Sequence, residues 1–186
     1  ASDRKDYVAW GFEKFYTDSY GVTYALFANG TASLVSYDTN LTEIVLGVDG
    51  YTLKEIPSSF FYNNDNLISI VIPEGVTKIG DSAFEECSYL TTVTLPSTLV
   101  EIQNNAFDWC NRLTSVELPE NLTKIGEYAF YYCQAITDLT LPNSLIEIGG
   151  YAFYAVPLQL TYIPASVTTI GDYAFYNCTS LASVTI

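Results

Sequence analysis

Four cysteines are the side chains of this sequence best suited to chemistry: Cys87, Cys110, Cys133 and Cys178. Each follows an Ala-Phe pair by three residues, the pairs being Ala83-Phe84, Ala106-Phe107, Ala129-Phe130 and Ala174-Phe175. A fifth pair, Ala152-Phe153, has Val156 where the cysteine would stand. Thiols in such a series could pair as disulfides, hold a metal or act as nucleophiles. The first three are expected in adjacent turns of the chain, about 5 Å apart, a Cα separation that does not exclude a disulfide. Three in a row cannot all pair, however, and Val156 isolates Cys178. A hydrophobe in one copy and a phenylalanine beside every copy favour buried free thiols over disulfides or a metal ladder. A nucleophilic thiol needs a base, and the chain contains no histidine, which also removes Ser-His pairs and His-rich zinc sites. No catalytic, cofactor-binding or metal-binding residue is therefore expected.

Charged and aromatic residues recur with the same spacing. Lys78, Glu101, Lys124 and Glu147 share one repeat position and alternate in sign, which predicts a column of neighbours that fixes register. Asp81, Glu85 and Glu86 form the densest acidic cluster, without calcium-loop spacing, and read as a solvated face. Tyr128, Tyr151 and Tyr173 share one position, while Tyr131, Tyr154 and Tyr176 share another three residues on, and Trp109 and Tyr132 lie beside them. Stacked copies predict two columns of rings on the outer surface, a candidate contact surface. Mutual covering of neighbouring turns is the simpler account of them and a dedicated platform the functional one. A second candidate surface is the polar strand face with Thr92, Thr94, Ser115, Glu117, Asp138 and Thr140. Seven strands on that face would give about 600 Å², less than one partner's share of a standard protein interface.

These residues are positioned by a repeat. Leu67, Leu90, Leu113 and Ile136 follow one another at intervals of 23 residues, Leu158 follows after 22, and Leu181 after 23. Each unit reads as a strand, a bend at proline, a second short extended piece and a compact helical turn that carries Ala, Phe and Cys inward. Gly80, Gly126, Gly149 and Gly171 mark a bend before the helical turn, with Gln103 in one copy. Asp81, Asn104 and Asp172 follow it as N-cap candidates. A single unit leaves its apolar edges exposed, and a neighbour about 4.8 Å away covers them. The expected fold is a repeat solenoid, a right-handed coil with one parallel sheet and short helical turns. Residues 41–66 form a degenerate first rung, regular repeats run from 67, and an incomplete last repeat occupies 181–186. Residues 1–40 comprise an aromatic segment and a β-hairpin, with Ala28-Asn29-Gly30 at its turn, that caps the coil. The uncapped last repeat, with Leu181, Val184 and Ile186 in strand positions, suggests that the chain continues, or that copies associate end to end.

The formal charge of −14, from 7 basic and 21 acidic residues, argues against nucleic acid and anionic membrane surfaces as partners. No apolar run is long enough to cross a bilayer as a helix. The unit Leu113-x-x-Val116-x-Leu118-Pro119-x-x-Leu122-x-x-Ile125-Gly126-x-x-Ala129-Phe130-x-x-Cys133 resembles the BspA-type leucine-rich repeat of bacterial surface proteins. The resemblance runs from about Leu41 to Ile186. It implies a secreted or cell-surface location and a noncatalytic adhesion module whose partner is a host extracellular or cell-surface protein, or a glycan. A carbohydrate-binding module using the tyrosine columns and a structural spacer are the alternatives. The family supplies no binding motif that transfers to particular residues.

Overall fold

The computed structural model describes residues 11–159 and 162–181. Trp10, Thr161 and the strand positions Val184 and Ile186 lie outside the described residues, as does the end-to-end surface that the last repeat would supply.

The described residues begin with three antiparallel strands, β1 (Phe12–Thr17), β2 (Thr23–Phe27) and β3 (Thr31–Ser36). The expected hairpin is β2 and β3, turning at Ala28-Asn29-Gly30, where Gly30 takes φ 77°. The aromatic segment before it supplies β1, and its Phe12 packs edge-on against Phe27. This sheet is joined to the solenoid by backbone pairing, because β3 runs parallel to β5 (Thr52–Leu53) of the first rung. Tyr24 fastens the join from within: fully buried, it donates from its hydroxyl to Asp18 at 3.1 Å and accepts the Gly47 N–H at 3.1 Å. Tyr37 adds ring contacts to Phe60 and Phe61.

Two parallel sheets, rather than one, run along the solenoid. The first holds β4 (Glu43–Val45), β7 (Ser69–Val71) and β9 (Thr92–Thr94), in the register Ile44↔Ile70↔Val93. The second sheet comes from the short extended piece after each proline. It holds β6 (Glu55–Ile56), β8 (Lys78–Ile79), β10 (Glu101–Ile102), β11 (Lys124–Ile125), β12 (Glu147–Ile148) and β13 (Thr169–Ile170), in that order. Its register places Glu55, Lys78, Glu101, Lys124 and Glu147 side by side, the alternating column expected, with Glu55 one member further upstream. Lys78 pairs with Glu55, and Lys124 with Glu147 at 3.0 Å. The first sheet is shorter than expected. After β9 only the bridge Thr92↔Ser115 remains, so the seven-strand polar face is not formed among the described residues.

The segment bearing Ala-Phe is not a helical turn, and no helix occurs among the described residues. A helix needs consecutive right-handed residues. Here two left-handed residues stand four apart in every rung: Ser82 and Glu86, Asn105 and Trp109, Tyr128 and Tyr132, with φ between 55° and 61°. Their effect is to alternate the direction of the amides. Ser82, Phe84 and Glu86 donate to the carbonyls of Asn104, Ala106 and Asp108 in the next rung, while Ala83, Glu85 and Cys87 donate back three residues within their own. The segment thereby adds a third ladder of backbone bonds between rungs, which leaves few buried amides unpaired. The carboxyl and amide side chains read as N-caps act across rungs too. Asp81 accepts the Asn104 N–H at 3.1 Å, and Asn104 accepts the Glu127 N–H at 2.9 Å. The recurrent glycine likewise answers to a close approach and not to a special φ. A Cβ on Gly80 would come within 2.6 Å of the Ser58 nitrogen, and one on Gly126 within 2.6 Å of the Gln103 carbonyl carbon.

The core is a spine of phenylalanines. Phe61, Phe84, Phe107, Phe130, Phe153 and Phe175 stack ring on ring with centroids 5.1–5.4 Å apart and planes within 11° of parallel. Alanine precedes each from Phe84 onward, because a larger side chain would meet the same fully buried interior.

Candidate functional site

The cysteines fall beside the phenylalanine spine, buried and unpaired by disulfides. Each thiol points upstream at the carbonyl of the phenylalanine one rung back: Cys87 to Phe61, Cys110 to Phe84, Cys133 to Phe107 and Cys178 to Phe153, at 3.0–3.1 Å. Burial pushes the Cys87 thiol up to about 12 and that of Cys178 to about 11, and raises Cys110 and Cys133 well above the ordinary thiol value. A thiol held this way is a poor nucleophile. In the first rung Asn64 takes the cysteine's place. Only 5% exposed, it accepts the N–H groups of Asn66 and Leu67 and donates to the Tyr37 hydroxyl. Its signal in the sequence was its place three residues after Phe60-Phe61. Among the described residues, no three of His, Cys, Asp and Glu are grouped to hold a metal ion.

The tyrosines assemble as their spacing predicts. Tyr128, Tyr151 and Tyr173 stack at 4.8 and 5.1 Å, and Tyr131, Tyr154 and Tyr176 at 5.0 and 5.3 Å. Trp109 stacks on Tyr132 at 4.6 Å with the planes 7° apart. The columns also touch sideways, through Tyr128 to Tyr131 at 5.3 Å and Tyr131 to Tyr132 at 4.7 Å, so the eight rings make one continuous surface. Trp109, Tyr173 and Tyr176 are about half exposed and the other five less so. The left-handed backbone at Tyr128, Tyr132, Tyr151 and Tyr173 turns these rings outward while Ala and Phe between them face the core.

The same repeat positions extend upstream, where carboxylates replace the rings. Glu85 and Asp108 stand two steps and one step above Tyr131 in its column, with the exposed Tyr62 beyond them, and Glu86 stands one step above Trp109. Asp108 was legible only through the repeat interval. Burial, with Glu85 as second cause, pushes its carboxyl up to about 7, and one of its oxygens lacks a hydrogen-bond partner.

The strand-face candidates divide. Thr92 and Thr94 are exposed on β9, whereas Ser115, Glu117, Asp138 and Thr140 line a hollow of about 700 Å³ where the first sheet has opened. A second hollow, of about 640 Å³, lies between the cap and the first rung beside Tyr16, Tyr20, Tyr51 and Glu74. Sequence reasoning missed it, because it is made by segments that do not repeat.

The repeated unit is matched by the BspA type leucine rich repeat region, in six copies over residues 54–185. The chain is similar in structure to the leucine rich repeat protein of T. pallidum, with a TM-score of 0.81 and 30% identity over 90% of this chain and 80% of that one. A leucine rich cell surface protein of Faecalibacterium prausnitzii gives a TM-score of 0.70 and 30% identity, covering 100% of this chain and 55% of its own. A pneumococcal vaccine antigen shares the fold, with a TM-score of 0.67 at 23% identity over 88% of this chain and 47% of that one. The chain thus spans about half the length of the latter two. No curated protein sequence matches it. With more than two thirds of its residues in the repeat and a structural relative at 30% identity, the chain belongs to the BspA type leucine rich repeat family.

Proposed function

We propose that the chain is a noncatalytic binding module of a secreted or cell-surface protein, and that it contacts host extracellular or cell-surface proteins through the aromatic surface. The observation that carries this reading is the continuous run of eight rings on one exposed face, a composition enriched at protein interfaces. The repeat family supports the surface location and the fold supports a scaffold role, since function on such a frame resides in grafted surface residues. The first sheet is a weaker candidate because its ladder ends after three strands.

A glycan platform is less well served by the same rings. Sugars stack on free aromatic faces, and here neighbours cover part of both faces of Tyr151 and Tyr154, leaving edges and hydroxyls outward. The test is a binding array of matrix proteins, plasma proteins, glycans and cells, probed with the wild type and with a Tyr131→Ser, Tyr154→Ser, Tyr176→Ser variant. The expected result is protein or cell binding that the variant loses while remaining folded. A variant that loses stability and keeps all binding rejects the aromatic surface, and hits confined to glycans reject the protein partner.

A further inference from the structure

The charge of the aromatic face says more about its partner. The segments that build it, residues 58–63, 81–86, 104–109, 127–132, 150–155 and 172–177, contain no lysine or arginine and six carboxylates. All six are exposed or partly exposed. Neither ion pair among the described residues involves them. Lys78 and Lys124, the cations nearest to them in sequence, are paired with Glu55 and Glu147, and Arg112 is stacked on Tyr89 at 4.2 Å. Asp81 lies within electrostatic reach of Lys78, but Glu85, Glu86 and Asp108 give the face an excess of negative charge beside the exposed Trp109.

The rings are also not equivalent to a cation. Tyr151 and Tyr154 have a ring on each face, whereas Trp109, the most upstream ring of the continuous surface, is covered on its downstream face by Tyr132 and has Glu86, not a ring, at the next step upstream. A half-exposed indole bordered by a carboxylate attracts a cation twice over, by the ring quadrupole and by charge. Glu85 and Asp108 lie in the adjoining column, close enough to Glu86 for their charges to interact. Downstream, the tyrosine hydroxyls of three further rungs offer acceptors to an extended chain.

Resting on the binding-module reading above, we infer that the aromatic face docks a basic polypeptide segment, with an arginine or lysine side chain seated between Trp109 and the carboxylates Glu85, Glu86 and Asp108. A polypeptide is preferred to a small amine because the ring surface continues over the rungs of Tyr131, Tyr154 and Tyr176, far beyond the reach of one cation.

The probe is a labelled oligoarginine peptide, compared with its citrulline counterpart of the same shape and no charge, and with free arginine amide. The intact chain is titrated as wild type, as E85Q/E86Q/D108N, and as E43Q/D49N/E120Q, which removes three exposed charges from segments that do not build the aromatic face. The first variant is expected to weaken oligoarginine binding about tenfold or more and the second less than about twofold, with binding also weakened by salt. Equal losses in the two variants, equal binding of the citrulline peptide, no binding by the wild type, or free arginine amide binding as tightly as the peptide each overturn the inference. Array partners lost with the tyrosine substitutions but kept in E85Q/E86Q/D108N would sink the cationic partner and leave the binding module standing.

Discussion

Truncating Phe107 to alanine tests whether the phenylalanine spine is what holds the rungs together. The ring is fully buried between Phe84, at 5.1 Å and 1°, and Phe130, at 5.3 Å and 11°. Removing it costs about 3–5 kcal/mol, the range for a phenylalanine lost from a core, and more when the site cannot collapse. Collapse is opposed here on both sides. The rung is clamped to its neighbours by β10 pairing with β8 and β11, and by the amides of Asn105, Phe107 and Trp109 bonded to the rung below. Two stacking contacts, each worth about 0.5–1.5 kcal/mol beyond area, go with the ring. The expected loss is therefore in the upper half of the range, about 4–5 kcal/mol, a large share of the roughly 5–15 kcal/mol that stabilises a typical domain. Since each rung contacts only its neighbours, the damaged interface should also uncouple the two ends. Urea unfolding followed by far-UV circular dichroism and by Trp109 fluorescence, in a W10F background, should lose coincidence as well as stability. A single transition of unchanged slope, less than about 2 kcal/mol weaker, would refute the spine as the main source of cohesion.

Native-state thiol labelling should be slow at Cys110 and Cys133 and follow unfolding, with Cys178, the most exposed of the four, reacting first; mass spectrometry of timed samples checks the order. The K124E substitution would set three carboxylates in adjoining positions with Glu101 and Glu147, and should cost about 1–2 kcal/mol at low salt and less at high salt in urea titrations. Asp108 is raised in the fold, so its carboxylate disfavours folding once ionised. Glu85, Glu86, Tyr131, Cys110 and Cys133 face it, and none offers a positive charge. The fold's advantage from a protonated Asp108 is complete below its unfolded value near 4 and is lost as pH rises through about 7. D108N should therefore stabilise the chain at pH 8 by about 1–2 kcal/mol, a figure reduced for solvent contact, and change it little at pH 4; equal effects at both would contradict this.

The inward wall was legible because repetition does the averaging that one turn cannot: Ala, Phe and Cys recur together from unit to unit, and every copy proves buried except Phe175 of the last, which is partly buried. The helical turn was misread for a physical reason. Tyr128 and Tyr131, three apart, satisfy a helix and a pair of left-handed turns equally, since both bring residues three apart to one side. The signal that separates them was present in Asn63, Asn105 and Asn177, which occupy the left-handed positions of other rungs and tolerate that backbone best after glycine. The second sheet escaped notice because two-residue strands are too short to show alternation. Yet the sign-alternating Lys78, Glu101 and Lys124 had already implied neighbours there. The opening of the first sheet after β9 has no visible cause, as Thr114 to Leu118 matches Thr91 to Leu95 in pattern. Asp108 and Tyr62 were within reach, but only if the columns had been followed through their change from ring to carboxylate.

That change bears on why the rings exist. Left-handed backbone costs a residue with a side chain about 1–2 kcal/mol, least for asparagine, and the fold imposes it at the same two places in every rung. Ser82 and Glu86 meet the requirement without a ring, as do Ser59 and Asn63, and their rungs keep the same cross-rung amide bonds as the aromatic ones. The backbone therefore does not call for aromatic residues at Trp109, Tyr128, Tyr132, Tyr151 and Tyr173. Stacking offsets part of the cost once several rungs carry rings, but it would do so equally well in a buried column, as Phe84 to Phe153 demonstrates. What stacking alone does not account for is rings at exposed positions, continuous only from Trp109 onward and bordered by carboxylates that join neither ion pair of the described residues. The proposed contact surface would account for all three at once, with its cationic contact at the border between Glu86 and Trp109, where the continuous run of rings begins.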